Sequence, residues 1–362
     1  MSDPDQVLCI NTGSSSVKGA LVAADGSSER HAVTLEHHAD PAPAVDAVVD
    51  ELLGRGTPGV VGHRVVHGGA DFAAPVLVDD AVLDRLRALV PLAPLHQPQA
   101  VAAIEHLRRR LPDVPEVACF DTAFHRRMPE SAQRLPLPDR YWDAGIRRYG
   151  FHGLSYEYVV GRLGATLGAR AVIAHLGGGS SLVALRGGRP VDTTMSLTPG
   201  GGLVMATRSG DLDPGVVLAL LRLEGNAERV GAVLEEESGL AAISGRVGGI
   251  KELVEASRDD GSAREAVDAY VTSVAAGVAG FVTMLGGLDV LVFTGGVGAA
   301  SGEIRAAIAR RLAPLDVDVD GDANAAGAED VTAAGGRVSV LVVPTDEEAV
   351  IARHSRTVAG KG

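Results

Sequence analysis

Apolar and polar positions alternate between two periods along this chain. Mostly apolar runs, read as buried strands, cover Val7–Ile10, Gly59–Val66, Val117–Phe120, Val172–Ala174, Val290–Phe293 and Val338–Val343. Between them, helical spacing predicts helices over Pro43–Leu53, Asp79–Val90, Pro98–Arg110, Leu154–Leu167 and Thr345–Val358. Further helices are predicted near 214–223, 226–237 and 263–287. Strands alternating with helices make an α/β protein with helix-covered sheets. Ligands in such folds sit beyond the carboxyl ends of the strands, where Asn11, Asp121, Gly177 and Gly295 fall.

The opening pattern occurs twice. VLCINTGSSSVKGALVAA from Val7 and VIAHLGGGSSLVALRGGR from Val172 each give an apolar strand, a Gly/Ser turn, a second strand and a Gly turn. Their spacing is about one domain, which predicts two halves sharing one opening. A length of 362 residues also exceeds what one core supports.

The net charge of -13 excludes a nucleic-acid footprint, although a phosphate site needs only a few local cations. Cys9 and Cys119 sit in apolar runs and read as core residues of a reducing compartment. The N-terminal apolar run is too short for a signal peptide, and Tyr270–Leu288, though apolar, feeds straight into DVLVFTGG. A buried helix, no membrane span and a cytoplasmic protein are expected.

Three turns follow apolar strands: NTGSSS, HLGGGSS and TGGVG. Backbone N–H groups in such turns form anion nests, so together they suit a polyphosphate. None fits the P-loop or the dinucleotide fingerprint. Arg64, inside the apolar GHRVVHGG, requires an anionic partner. Arg208 lies in the polar loop MATRSGDLDPG, and Asp121 opens DTAFH at a strand end. Of Glu347 and Glu348, one should serve the dipole of the last helix and the other is free for Mg²⁺. His152 precedes a helix in YGFHGLS, and no histidine spacing gives a zinc site.

The strings NTGSSSVK, GHRVVHGG, LAPLHQP, FDTAFHRRMP, YGFHGLS, HLGGGSS, DTTMSLTPGGGLVMATRSGDLDP, FTGGVG and PTDEEAVIAR, in this order from Asn11 to Arg353, resemble the acetate kinase family. The resemblance implies a duplicated ribonuclease-H-like (actin/Hsp70/sugar-kinase) fold of two lobes with an interlobe cleft, and a homodimer. The lobes would be 1–124 plus 346–362, on the acyl side, and 125–345, for nucleotide binding and dimerisation. It implies transfer of the ATP γ-phosphoryl to acetate or another short carboxylate, with Mg²⁺ or Mn²⁺. Arg64, Asp121, His152 and Arg208 would be catalytic. Val66, Leu95, Phe151 and Pro199, with Arg64, would hold the acyl group. Asn11 and Glu347 would serve the metal, with Ser14 and Ser16 at the phosphate and metal end. Lys18, His175, Gly177, Gly178, Gly179, Ser180, Gly295, Gly296 and Gly298 would bind nucleotide and phosphate.

Departures cluster on the donor side. Gly178 stands for an Asn, Ala299 and Ala300 for a polar pair, Tyr156 for a His and Asp346 for an Asn. They leave propionate or butyrate, a donor such as pyrophosphate, a weak nucleotide-binding sensor and a phosphatase as alternatives.

Overall fold

The computed structural model describes residues 3–13, 16–34, 40–246 and 248–360. Two compact units emerge: Met1–Arg126 with Phe151–Tyr158 and Asp346–Gly362, and Arg127–Gly150 with Val159–Thr345. The first unit takes in Phe151–Tyr158, which the sequence reading assigned to the second lobe. The reason is local: Gly153 N donates to Asp121 O (2.9 Å), and Leu154 is buried beside Cys119 and Ile351.

The first unit is built on β1 (Asp3–Thr12), β2 (Ser16–Val22), β3 (Ser28–Thr34), β4 (Pro58–Val65), β5 (Val76–Leu77) and β6 (Glu116–Phe120), in the order β3-β2-β1-β4-β6-β5. β1–β3 form an antiparallel meander, while β4 and then β6 add in parallel on the other side of β1. The second unit holds β7 (Arg170–His175), β8 (Ser181–Arg186), β9 (Arg189–Thr193), β10 (Val290–Thr294) and β11 (Ser339–Val342), in the order β11-β10-β7-β8-β9. Here too three antiparallel strands come first, and two parallel ones add beyond the first of them. Apart from the two-residue edge strand β5, the topologies coincide. The fold is the duplicated ribonuclease-H-like one that the family resemblance implied, and the two matching sheets bear out the repeat.

Both faces of the first sheet are covered, which is why its inner strands read as unbroken apolar runs. Helices Ala42–Leu53 and Gln97–Arg110 bury Val45, Val48, Leu52 and Leu107 against Leu8, Ile10 and Val61. On the other face, helix Glu347–Val358 sets Val350, Ile351 and Ala352 against Val7, Cys9, Val60 and Val117. The close approach of that helix needs Gly62: a Cβ there would run into Ser355 and Ile351.

In the second unit, helix Gly261–Leu285 is the central core element. Asp260 caps it, accepting from Ser262 N and Ala263 N. It is long and apolar enough to cross a membrane by length and composition. Its inner face, including Ala266, Tyr270, Val274 and Val278, packs in one cluster with Val172, Ala184 and Phe293. Burial against a sheet accounts for its apolar character.

Several elements differ from the sequence reading. The strands β3 and β9 were not separately foreseen. TGGVG forms a short helix, Gly295–Ala300, rather than a turn. The helix after Gly153 ends at Leu163 because Gly164 takes a left-handed conformation (φ 51°), and a 3₁₀ turn follows.

Substituting Gly62→Val should cost about 1–3 kcal/mol by overpacking. A melting temperature lowered by several degrees would be the readout, and an unchanged melt would reject this packing.

Candidate active site

β1, β4 and β6 are parallel, so their carboxyl ends lie along one edge of the first sheet. Asn11, Arg64 and Asp121 stand at these ends, and Glu347 opens the helix that covers the sheet. Arg64 Nη2 and Nε donate to Asp121 Oδ2 (2.6 and 3.1 Å), and Nη1 donates to Asn11 Oδ1 (3.1 Å). Glu347 Oε2 lies 3.7 Å from Arg64 Nε and accepts from Asn11 Nδ2 at 3.5 Å. Arg64 therefore has the anionic partner that its sequence context demanded. Burial disfavours its charge, but Asp121 and Glu347 outweigh this and hold its pKa above the ordinary arginine value.

The acidic pair at the last helix divides between two arginines. Glu348 and the capping residue Asp346 both bind Arg30 at 2.8 Å, whereas Glu347 faces Arg64. With one guanidinium between Asp121 and Glu347, the cluster keeps a net negative charge. Its donors beyond Arg64 are hard oxygens, which fits Mg²⁺ or Mn²⁺. Among the described residues, no group of three or more His, Cys, Asp or Glu forms a metal cage. A cation held partly by substrate phosphates requires none.

The segment carrying Phe151 and His152 is fixed in the same unit. His125 Nε2 donates to Phe151 O (2.8 Å), and Gly153 N to Asp121 O. His152 adopts φ 57°, a left-handed conformation rare for a residue with a side chain. Gly153 must follow it, since a Cβ would collide with Asp121 O. Val66 is buried just past the end of β4, and Leu95 is half-buried. Lys18 is exposed on β2, in register with Asn11. Ser16 is the first residue of β2, while Ser14 lies outside the described residues.

The second unit assembles its loops through the backbone. Leu176 N, just past β7, donates to Thr294 O (2.9 Å), and Val297 N and Gly298 N return bonds to Leu176 O (2.8 and 3.2 Å). The turn after β7 and the TGGVG segment are thus bound together. Gly295 (φ 77°) allows this, because a Cβ would strike Leu176. Ser180 is fully buried; its Oγ accepts from Gly177 N (3.2 Å) and lies 2.8 Å from the Tyr270 hydroxyl. His175 closes β7 and is half-buried. Ala206 N donates to Gly178 O (3.3 Å), which ties the Arg208 loop to the same cluster. Arg208 Nη1 donates to Pro199 O (3.3 Å), so the two residues share one loop. Burial raises the pKa of nearby Glu235, and Arg208 opposes the rise.

The profile of the Acetokinase family matches residues 27–353. An acetate kinase of Pseudarthrobacter chlorophenolicus is 44% identical, over 98% of this chain and 99% of its own. One from Rhodopseudomonas palustris is 41% identical, over 99% of each. Among solved structures, a propionate kinase from Francisella tularensis gives a TM-score of 0.90 at 32% identity, covering 99% of this chain and 100% of its own. The acetate kinase of Porphyromonas gingivalis gives 0.84 at 32% identity, over 98% and 99%. This chain belongs to the acetokinase family.

The departures from the family strings now have a structural setting. A Cβ at Gly178 would meet nothing within 4 Å, so packing does not exclude a side chain there. Ala300 is exposed, and Ala299 packs partly against the core.

Sequence reading missed Arg305, the largest fully buried side chain among the described residues. It donates to Gly298 O (2.9 Å), Ala299 O (2.8 Å), Asn324 Oδ1 (2.7 Å) and Asn324 O (2.8 Å). No carboxylate pairs with it among the described residues, and burial lowers its pKa. The signal was present: Arg305 begins an i, i+3, i+4, i+7 stripe with Ile308, Ala309 and Leu312, where a charge needs a reason.

His125 supplies a pH test. Burial lowers its pKa to about 4, only partly offset by its bond to Phe151 O. An unfolded histidine binds its proton near pH 6.5. Stability should thus be full above that pH, fall as pH drops from 6.5 to 4, and lose about 3 kcal/mol in all. Thermal melts across this range should show a shallower acid limb in His125→Gln than in the parent protein.

Proposed function

We propose that this member of the acetokinase family is an acetate kinase, moving the γ-phosphoryl group of ATP to acetate by direct in-line transfer, reversibly, to give acetyl phosphate and ADP. The observation that carries the reading is the setting of Arg64. A partly buried cation stands at a strand end beside two carboxylates and an amide, in a chain whose relatives are acetate kinases. The readings with another acid, another donor or no turnover are not favoured.

The acceptor carboxylate is ionised at neutral pH, so no base has a proton to remove. Asp121 instead orients the Arg64 guanidinium, which donates to both of its oxygens. The obstacle is an anionic oxygen approaching an anionic phosphate. Arg64 and Arg208 offset this repulsion and hold the reacting groups in line, and His152 donates to the phosphoryl in transit. Val66, Leu95, Phe151 and Pro199 confine the acetate methyl. Asn11 and Glu347 hold the divalent metal, Mg²⁺ or Mn²⁺, which screens phosphate charge when bound, with Ser14 and Ser16 at that end. The nucleotide phosphates lie along Gly177, Gly178, Gly179 and Ser180, with Lys18, His175 and the segment Gly295, Gly296 and Gly298 contributing. The first unit serves the acyl side and the second the nucleotide.

Replacing either Arg64 or Arg208 by Ala should lower kcat/KM about 100-fold, equivalent to roughly 3 kcal/mol of transition-state stabilisation. Acyl phosphate trapped as hydroxamate measures turnover, and a thermal melt confirms folding. Near-normal turnover in a folded variant rejects the assignment.

The protein is cytoplasmic and a homodimer in this reading. Helix Pro214–Glu224 has no buried residue, yet exposes Val216, Val217, Leu218, Leu221 and Leu223, the last at 81%. A helix exposing this much apolar surface is suited to burial in a self-complementary twofold contact. Light scattering should give twice the chain mass, and the double variant Leu218→Glu/Leu223→Glu should give the chain mass. A monomeric parent protein would refute the dimer.

A further inference from the structure

The second unit contains a cavity of about 480 Å³ at the end of its sheet opposite the phosphate loop. Arg127, Val160, Gly164, Gly187, Gly188 and Arg189 are among its lining residues. The loop Gly177–Ser180 precedes β8, whereas Gly187 and Gly188 follow it. Six residues of strand, about 20 Å, separate the two places. The cavity is therefore not the nucleotide site of the preceding reading, and nothing here depends on that reading.

Its charge is one-sided. Neither the Arg127 nor the Arg189 side chain makes a hydrogen bond or ion pair with any described residue, and no Asp or Glu lines the cavity. Asp289 lies beside Gly168 at the rim, and Arg170 pairs with it. Two guanidinium groups therefore face one cavity without a carboxylate among its lining residues. The turn Gly187–Gly188, left-handed at both residues (φ 55° and 73°), lines the cavity without side chains, and Gly187 N is held by Ala169 O (2.8 Å). Only Val160 and Ala165 are apolar side chains in the lining, which leaves little for a hydrocarbon ligand. The volume falls in the range of small-molecule sites.

We propose that this cavity binds a small dianion bearing a phosphate group, either free phosphate or a phosphate monoester, between Arg127 and Arg189. A tetrahedral phosphate offers oxygens to two guanidinium forks at once, which a single carboxylate does not.

Isothermal titration of the full-length protein with inorganic phosphate, glycerol 3-phosphate and succinate tests this. The parent protein and the Arg208→Ala variant should both bind phosphate or the ester, because Arg208 is remote from this cavity. The Arg127→Ala/Arg189→Ala double variant should bind at least about tenfold more weakly, with kcat for acetate within about twofold of the parent value. Tighter binding of the ester identifies an organic phosphate, and equal binding identifies free phosphate; both support the site. Unchanged titration in the double variant overturns the proposal. So does loss of all binding in Arg208→Ala, or succinate binding as well as either phosphate.

Discussion

The carboxyl-end edge of the first sheet is organised around one partly buried cation. Arg64 sits where three parallel strand ends meet, and desolvation alone would expel its charge. Asp121 and Glu347 reverse that balance, and Asn11 takes the remaining edge of the guanidinium. The dependence is mutual. Without the arginine, two carboxylates from different elements would face each other across a partly buried space, and neither would have a reason to stay. The same pairing recruits the start of the last helix to the sheet edge, although some 280 residues of chain lie between Arg64 and Glu347.

The second unit solves its positioning problem by other means. Its loops are held by backbone hydrogen bonds at Leu176, Thr294, Val297 and Gly178, with a buried arginine satisfied entirely by neutral oxygens. A site held by the main chain tolerates changes of side chain. This explains how the loops keep their form with Gly178, Ala299 and Ala300 at positions where the family strings carry polar residues. Identical topology therefore supports two kinds of site. One edge is built from charged side chains, the other from peptide groups.

Much of this was legible in the sequence because it is local or periodic. Buried parallel strands show as unbroken apolar runs, Asp79 announces its helix by capping it, and the repeated strand–turn–strand opening predicts the duplication. What remained hidden was short or non-local. β9 has five residues, and nothing in its own composition separates it from a loop. Arg305 shows in sequence only as a charge on an apolar stripe, and the carbonyls that satisfy it come from elsewhere in the chain.

By itself, the sequence determined the elements, the double fold, and which residue types had to meet: a cation in an apolar strand must find an anion wherever the chain provides one. Tertiary structure alone decided which anion. Asp121 was chosen because β6 adds in parallel beside β4, and Glu347 rather than Glu348 because the helix turns one carboxylate toward Arg64 and the other toward Arg30. Strand pairing and helix rotation are set by packing over the whole unit, so no local window of sequence contains them.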